Sequence, residues 1–110
     1  MSTRPTHPGE LLREDVLPAL GLDKNSAARE LDVTPEELGQ LLSGRLSVNA
    51  EWALRLGQFC GNGPSLWMNM QAAMDLWEAQ NRLGDKLAAI PRHQATITIK
   101  VIPRRSFSAG

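Results

Sequence analysis

The chain has 110 residues, 42% of them hydrophobic, which is enough for one domain around a single core. Three Trp, two Phe and no Tyr argue against a large all-β sandwich, and no apolar run approaches the roughly 20 residues that span a bilayer. The formal net charge is zero but unevenly spread: residues 1–62 hold six basic and nine acidic side chains, residues 63–110 six basic and three acidic.

Pro8 to Val16 reads as a first helix. Proline suits a helix start, and Leu11, Leu12 and Val16 give an apolar stripe at helical spacing. Pro18 and Gly21 then interrupt the pattern. A second helix is expected from Lys24 to Leu31, capped by Asp23, with Ala27, Ala28 and Leu31 on its inner face. Asp32 and Val33 make a short turn, and Asp tolerates the left-handed conformation better than most residues.

Thr34-Pro35-Glu36-Glu37 announces a third helix. Thr34 is the cap, Pro35 the first helical position, and Glu37 completes a capping box. Leu38, Leu41 and Leu42 face inward, and Gly44 closes the helix. Asn49 caps a fourth helix that runs through Cys60, with Trp52, Ala53, Leu56 and Phe59 inward and Gly61 at its end.

Gly63-Pro64-Ser65 opens a fifth, longer helix that reaches about Leu83. Leu66, Met70, Ala73, Leu76 and Trp77 line one face, and Trp67 and Met74 widen it. So wide an apolar face is read either as a dimer seam or as a core helix of the single chain. Gly84 breaks this helix, Asp85 to Ile90 add a short turn, and Pro91 stops it. Ala95 to Val101 alternates strictly, which is a β signal over residues 95–102. A lone strand cannot satisfy its edges, so it either pairs with another strand or is an unpaired tail. No acid follows Asp85, whereas Lys86, Arg92, Lys100, Arg104 and Arg105 do.

Little here suggests catalysis. His7 and His93 lie far apart without a second ligand at metal spacing, and there is no phosphate loop or nucleophilic triad. The chain is expected to be no enzyme and to need no metal, cofactor or small-molecule ligand. His7 reads as a cap ahead of Pro8, and Cys60 as a packed thiol beside Leu56 and Phe59. One cysteine forms no internal disulfide, and Met1 to Glu10 lacks a signal-peptide stretch, so the expected compartment is cytoplasmic.

The second and third helices carry a recognisable constellation. In a helix-turn-helix unit an alanine sits where the helices cross, a turn follows four residues later, and apolar residues fix the second helix. Ala28, Asp32, Val33, Leu38 and Leu41 occupy those places, with Asp32 where glycine is commoner. The expected fold is all-α: a five-helix lambda-repressor-like helix-turn-helix domain over residues 1–83, followed by a basic extension over 84–110 that carries the strand signal.

The chain resembles the HigA family of antitoxins, also called plasmid-maintenance antidote proteins of the VapI type. The resemblance is carried by His7-Pro8-Gly9-Glu10-Leu11-Leu12-Arg13-Glu14, by Asn25-Ser26-Ala27-Ala28-Arg29-Glu30-Leu31-Asp32-Val33, and by Ala53-Leu54-Arg55-Leu56. Ser65-Leu66-Trp67-Met68-Asn69-Met70-Gln71-Ala72-Ala73-Met74-Asp75-Leu76 extends it, so it covers about residues 7 to 80. It implies a cytoplasmic homodimer that neutralises a HigB/RelE-type mRNA-cleaving toxin. It also implies repression of the chain's own operon through binding to double-stranded operator DNA. The matching DNA-facing positions are Lys24, Asn25 and Arg29, then Thr34, Glu36, Glu37, Gly39, Gln40 and Ser43, with Arg45 just beyond.

At Glu36, Glu37 and Gly39 the chain departs from relatives that carry Arg, Ser, Thr or Asn. Two carboxylates there suit the helix dipole but oppose phosphates, although Glu accepts from cytosine N4. The alternatives are a regulator without a toxin partner, or a toxin-binding module whose DNA binding has weakened. The acidic first half suits a basic toxin.

Overall fold

The first helical stretch runs past Val16, which corrects the expected stop before Pro18. In the computed structural model, which describes residues 3–93, α1 (Pro8–Leu11) passes through a π-helical turn (Leu12–Val16) into α2 (Leu17–Leu20). In a regular α-helix Pro18 would lack a donor and crowd the carbonyl four residues earlier. The widened turn, in which the Leu17 N–H reaches the Leu12 carbonyl, changes the register just ahead of it. Leu12 and Leu17 both stay in the core as a result.

The remaining helices follow their sequence signals. In α3 (Lys24–Leu31) the Ser26 N–H donates to Asp23 Oδ1 at 2.7 Å, and this bond holds the Asp23 carboxyl below its usual pKa. α3 ends at Asp32, the one non-glycine residue with positive φ (60°) among the described residues. In α4 (Pro35–Leu42) both halves of the capping box form, and Gly44 follows with φ 82°. α5 (Ala50–Cys60) is capped by Asn49, whose Oδ1 accepts from the Trp52 N–H at 2.9 Å, and ends at Gly61. α6 (Ser65–Leu83) ends at Gly84, and α7 (Asp85–Ala88) supplies the short turn expected there. There is no strand among the described residues, and the expected strand at 95–102 lies outside them. No described helix is long and apolar enough to cross a membrane.

One core joins α1 to α6. Leu12, Leu38, Leu41, Leu56 and Trp67 are fully buried in it; each such side chain contributes about 1.5–3 kcal/mol by leaving water. α1 crosses α4 at Gly9, where any Cβ would overlap the Leu41 carbonyl. Glycine is thus required there for backbone-to-backbone approach rather than for a special φ.

The inward face of α6 differs from the expected one. Trp67, Gln71 and Met74 are buried, at spacings of four and three, whereas Leu66, Ala73 and Leu76 are exposed and Met70 and Trp77 half-buried. A glutamine was not expected inside. Its burial costs little because both ends are bonded: Oε1 accepts from the Val48 N–H at 2.8 Å and Nε2 donates to Asp75 at 2.9 Å. Trp67 belongs to the chain's own core, with its indole N–H on Asn62 Oδ1 at 3.3 Å.

Candidate nucleic-acid interface

The helix-turn-helix is held from beneath by apolar contact. Ala28 is buried where α3 meets α4, Leu38 and Leu41 are buried below α4, and Val33 is half-buried in the turn. The Val33 N–H closes the turn on the Ala28 carbonyl at 3.0 Å. A bulkier residue than Ala28 would push α4 away.

Two arginines far away in sequence complete the support. Arg55 on α5 donates from Nη1 to the Leu31 carbonyl at 2.7 Å and to the Asp32 carbonyl at 3.1 Å, and its Nη2 pairs with Glu51 at 3.1 Å. The same guanidinium lies 3.8 Å from the Asp32 carboxylate. At the other end Arg13 donates to the Leu42 carbonyl at 2.8 Å, satisfying a terminal acceptor of α4. The central turn and the C-terminal end of the α3–α4 unit are therefore tied to neighbouring helices by charge-assisted bonds.

All nine polar residues expected to face a nucleic acid are exposed: Lys24, Asn25 and Arg29 from α3, Thr34, Glu36, Glu37 and Gln40 around α4, then Ser43 and Arg45. Gly39, half-buried, lies beside the Lys24 side chain. Four of the nine are engaged locally. Arg29 Nη2 donates to Ser26 Oγ at 3.4 Å, Thr34 Oγ1 accepts from the Glu37 N–H, Glu37 Oε1 accepts from the Thr34 N–H, and Ser43 Oγ donates to the Gln40 carbonyl. The Glu36 and Gln40 side chains form no hydrogen bond among the described residues, and Lys24 and Arg45 no ion pair.

The nearby titratable groups are structural. His7 is buried, and its Nδ1 accepts from the Gly9 N–H at 2.9 Å, so it is the α1 cap expected from the sequence. Burial, then the Arg4 charge, pull its pKa below the ordinary 6.5. Burial pushes the half-buried Cys60 thiol up, away from thiolate chemistry. No group of three or more His, Cys, Asp or Glu among the described residues is placed to hold a metal.

No protein-family model matches the chain. Virulence-associated protein I of Dichelobacter nodosus is 38% identical over 74 residues, covering 67% of this chain and 68% of that protein. Antitoxin HigA-1 of Vibrio cholerae serotype O1 is 33% identical over 79 residues, covering 72% of this chain and 74% of that antitoxin. The chain belongs to the HigA antitoxin family. Among solved structures, antitoxin GraA in complex with its operator superposes on this HigA-family chain with a TM-score of 0.77, at 35% identity, over 86% of this chain and 97% of GraA.

Arg13 and Arg55 stand in sequence stretches that carry the HigA resemblance, yet their roles were not legible there. Each bonds a backbone carbonyl more than 20 residues away. Charge accounting alone would have left both as free cations for a polyanion. In this HigA-family chain they are instead committed to carbonyls, and the cations left over on the unit are Lys24, Arg29 and Arg45.

Proposed function

We propose that this HigA-family chain is the antitoxin of a type II toxin–antitoxin pair, which binds rather than catalyses and represses its own operon through α4. The observation that carries the reading is the division of the α3–α4 unit. Ala28, Leu38 and Leu41 are sealed in the core, while the opposite surface presents nine polar side chains to solvent. In such docking the start of the second helix meets base edges in the major groove, and amides and cations around it hold phosphates.

In this assignment Gln40 pairs with adenine and Glu36 accepts from cytosine N4. Thr34 and Ser43 support the contact. Lys24, Asn25, Arg29 and Arg45 take phosphates, with Glu37 held in the capping box. The functional unit is residues 1–83, and the basic extension 84–110 adds phosphate contacts. A homodimer, formed over the exposed Leu66, Ala73 and Leu76 with the half-buried Met70 and Trp77 beside them, would place two copies of α4 on successive turns, about 34 Å apart. The acidic first half steers a basic HigB/RelE-type toxin. The compartment is the cytoplasm, where operator and toxin both reside.

A gel shift on the operon's own promoter, with and without the toxin, tests the repressor role. The expected result is a retarded complex that weakens steeply with salt. No shift at low salt under either condition would leave only the toxin-binding role.

A further inference from the structure

We propose that Gly39 is a positioning residue for Lys24. By carrying no side chain, it leaves a notch on α4 across which the Lys24 stem lies, so that α3 delivers a cation to a recognition helix that has none of its own. This inference rests on the DNA-binding reading above.

Lys24 is the first residue of α3, where a cation opposes the helix dipole. Its placement there is not explained by pairing, because it forms no ion pair among the described residues. A Cβ built on Gly39 would instead stand 3.6 Å from Lys24 Nζ and 3.7 Å from its Cδ. Contact at Cδ as well as at Nζ means that the stem, and not only its tip, follows the α4 surface. The charged side chains of α4 itself are Glu36 and Glu37 alone. A phosphate approaching that helix end meets two carboxylates unless a cation is brought in from elsewhere.

Neither of the usual demands for glycine applies at residue 39. Its φ is not positive, and a methyl group would sit at ordinary van der Waals distance from Lys24. Glycine in mid-helix lowers helix stability relative to alanine, so the backbone alone would favour alanine. A side chain longer than alanine would take the space of the Lys24 stem and displace it from the α4 surface. Lysine acts on phosphate as a point charge, and a stem laid along the helix surface loses less freedom when that contact forms.

The test measures affinity for a promoter duplex against salt concentration, using the full chain and the variants K24M, K24R, G39A, G39M and K24M/G39M. G39A, whose methyl meets the Lys24 stem only at ordinary van der Waals distance, should melt at higher temperature and lose less of the salt slope than G39M. K24M and G39M should each lower the slope by about one per protomer, about two for the bound dimer, and weaken binding about sixtyfold at about 0.1 M salt. The double variant should be no weaker than either single one, because both remove the same contact. K24R should keep the parent's slope. Methionine is a better helix former than glycine, so G39M is expected to fold and a thermal melt checks this; G39Q fills the same space as a second probe. A parental slope in G39M and G39Q, or multiplicative losses in the double variant, would overturn the inference while DNA binding stands. Failure of the parent itself to bind would overturn the DNA-binding reading and this inference with it.

Discussion

The Arg55 guanidinium donates to the Leu31 carbonyl at 2.7 Å, which ties α5 to the last turn of α3. The bond reaches across the turn that sets the angle of α4, and a second bond from the same nitrogen goes to the Asp32 carbonyl. Arg55→Met keeps most of the stem but leaves two carbonyls without their donor. The expected loss is about 2 kcal/mol in urea unfolding, since hydrogen bonds to charged groups contribute about 1.5–3 kcal/mol. Promoter affinity should fall further than the stability loss alone explains, because α4 loses its fixed angle. A midpoint within error of the parent's would refute the clamp.

Gly9 tests the contact of α1 with α4. Gly9→Ala places a methyl group into the Leu41 carbonyl, which is backbone and cannot rotate away. A cost of about 3 kcal/mol is expected, at the upper end for overpacking. Circular dichroism melts should show a clear drop in Tm. An unchanged Tm would mean that the two helices stand further apart than described.

His7 makes stability depend on pH. Its Nδ1 must be unprotonated to accept from the Gly9 N–H. Burial first and then Arg4 lower its pKa, with Glu78, Asp75 and Glu10 opposing. The unfolded chain therefore takes up the proton more readily than the folded one. The stabilisation is fully present above the ordinary imidazole value of 6.5 and is lost as pH falls through the lowered native value. Urea midpoints should drop between about pH 7.5 and about pH 5.5. His7→Asn retains a capping acceptor but does not titrate, so its drop should be smaller; parallel drops in both proteins would exclude His7 as the source.

Trp67 and Leu76 separate the two faces of α6. Trp67 is fully buried and Leu76 is 65% exposed. Trp67→Ala should cost about 3–5 kcal/mol in folding through the cavity it leaves. Leu76→Glu should leave the monomer fold intact but lower the sedimentation coefficient if the exposed face is the dimer seam. Equal effects of both substitutions on melting would contradict this separation.

Gln40 lies on the exposed side of α4 with a side chain that has no partner among the described residues. Gln40→Ala should weaken promoter binding roughly a hundredfold, as the loss of one bidentate base contact from each protomer of the dimer implies. Toxin neutralisation and Tm should not change. Loss of both activities together would defeat the assignment of separate surfaces.

Local chemistry in the sequence determined the helix caps and the turn. Asp23, Thr34 with Glu37, Asn49 and the left-handed Asp32 act within about four residues of themselves, so their roles were legible from order alone. The burial of Ala28, Leu38 and Leu41, and the exposure of the face opposite, follow from helical periodicity in the same way. Tertiary structure decided the rest. The π turn that carries the helix past Pro18, the buried Gln71 bonded to Val48, and Arg13 and Arg55 on distant carbonyls all depend on which helix lies alongside. Spacing along a chain encodes which face of a helix is apolar. Which neighbour that face meets, and which cations remain free once backbone carbonyls are satisfied, is fixed only when the helices pack.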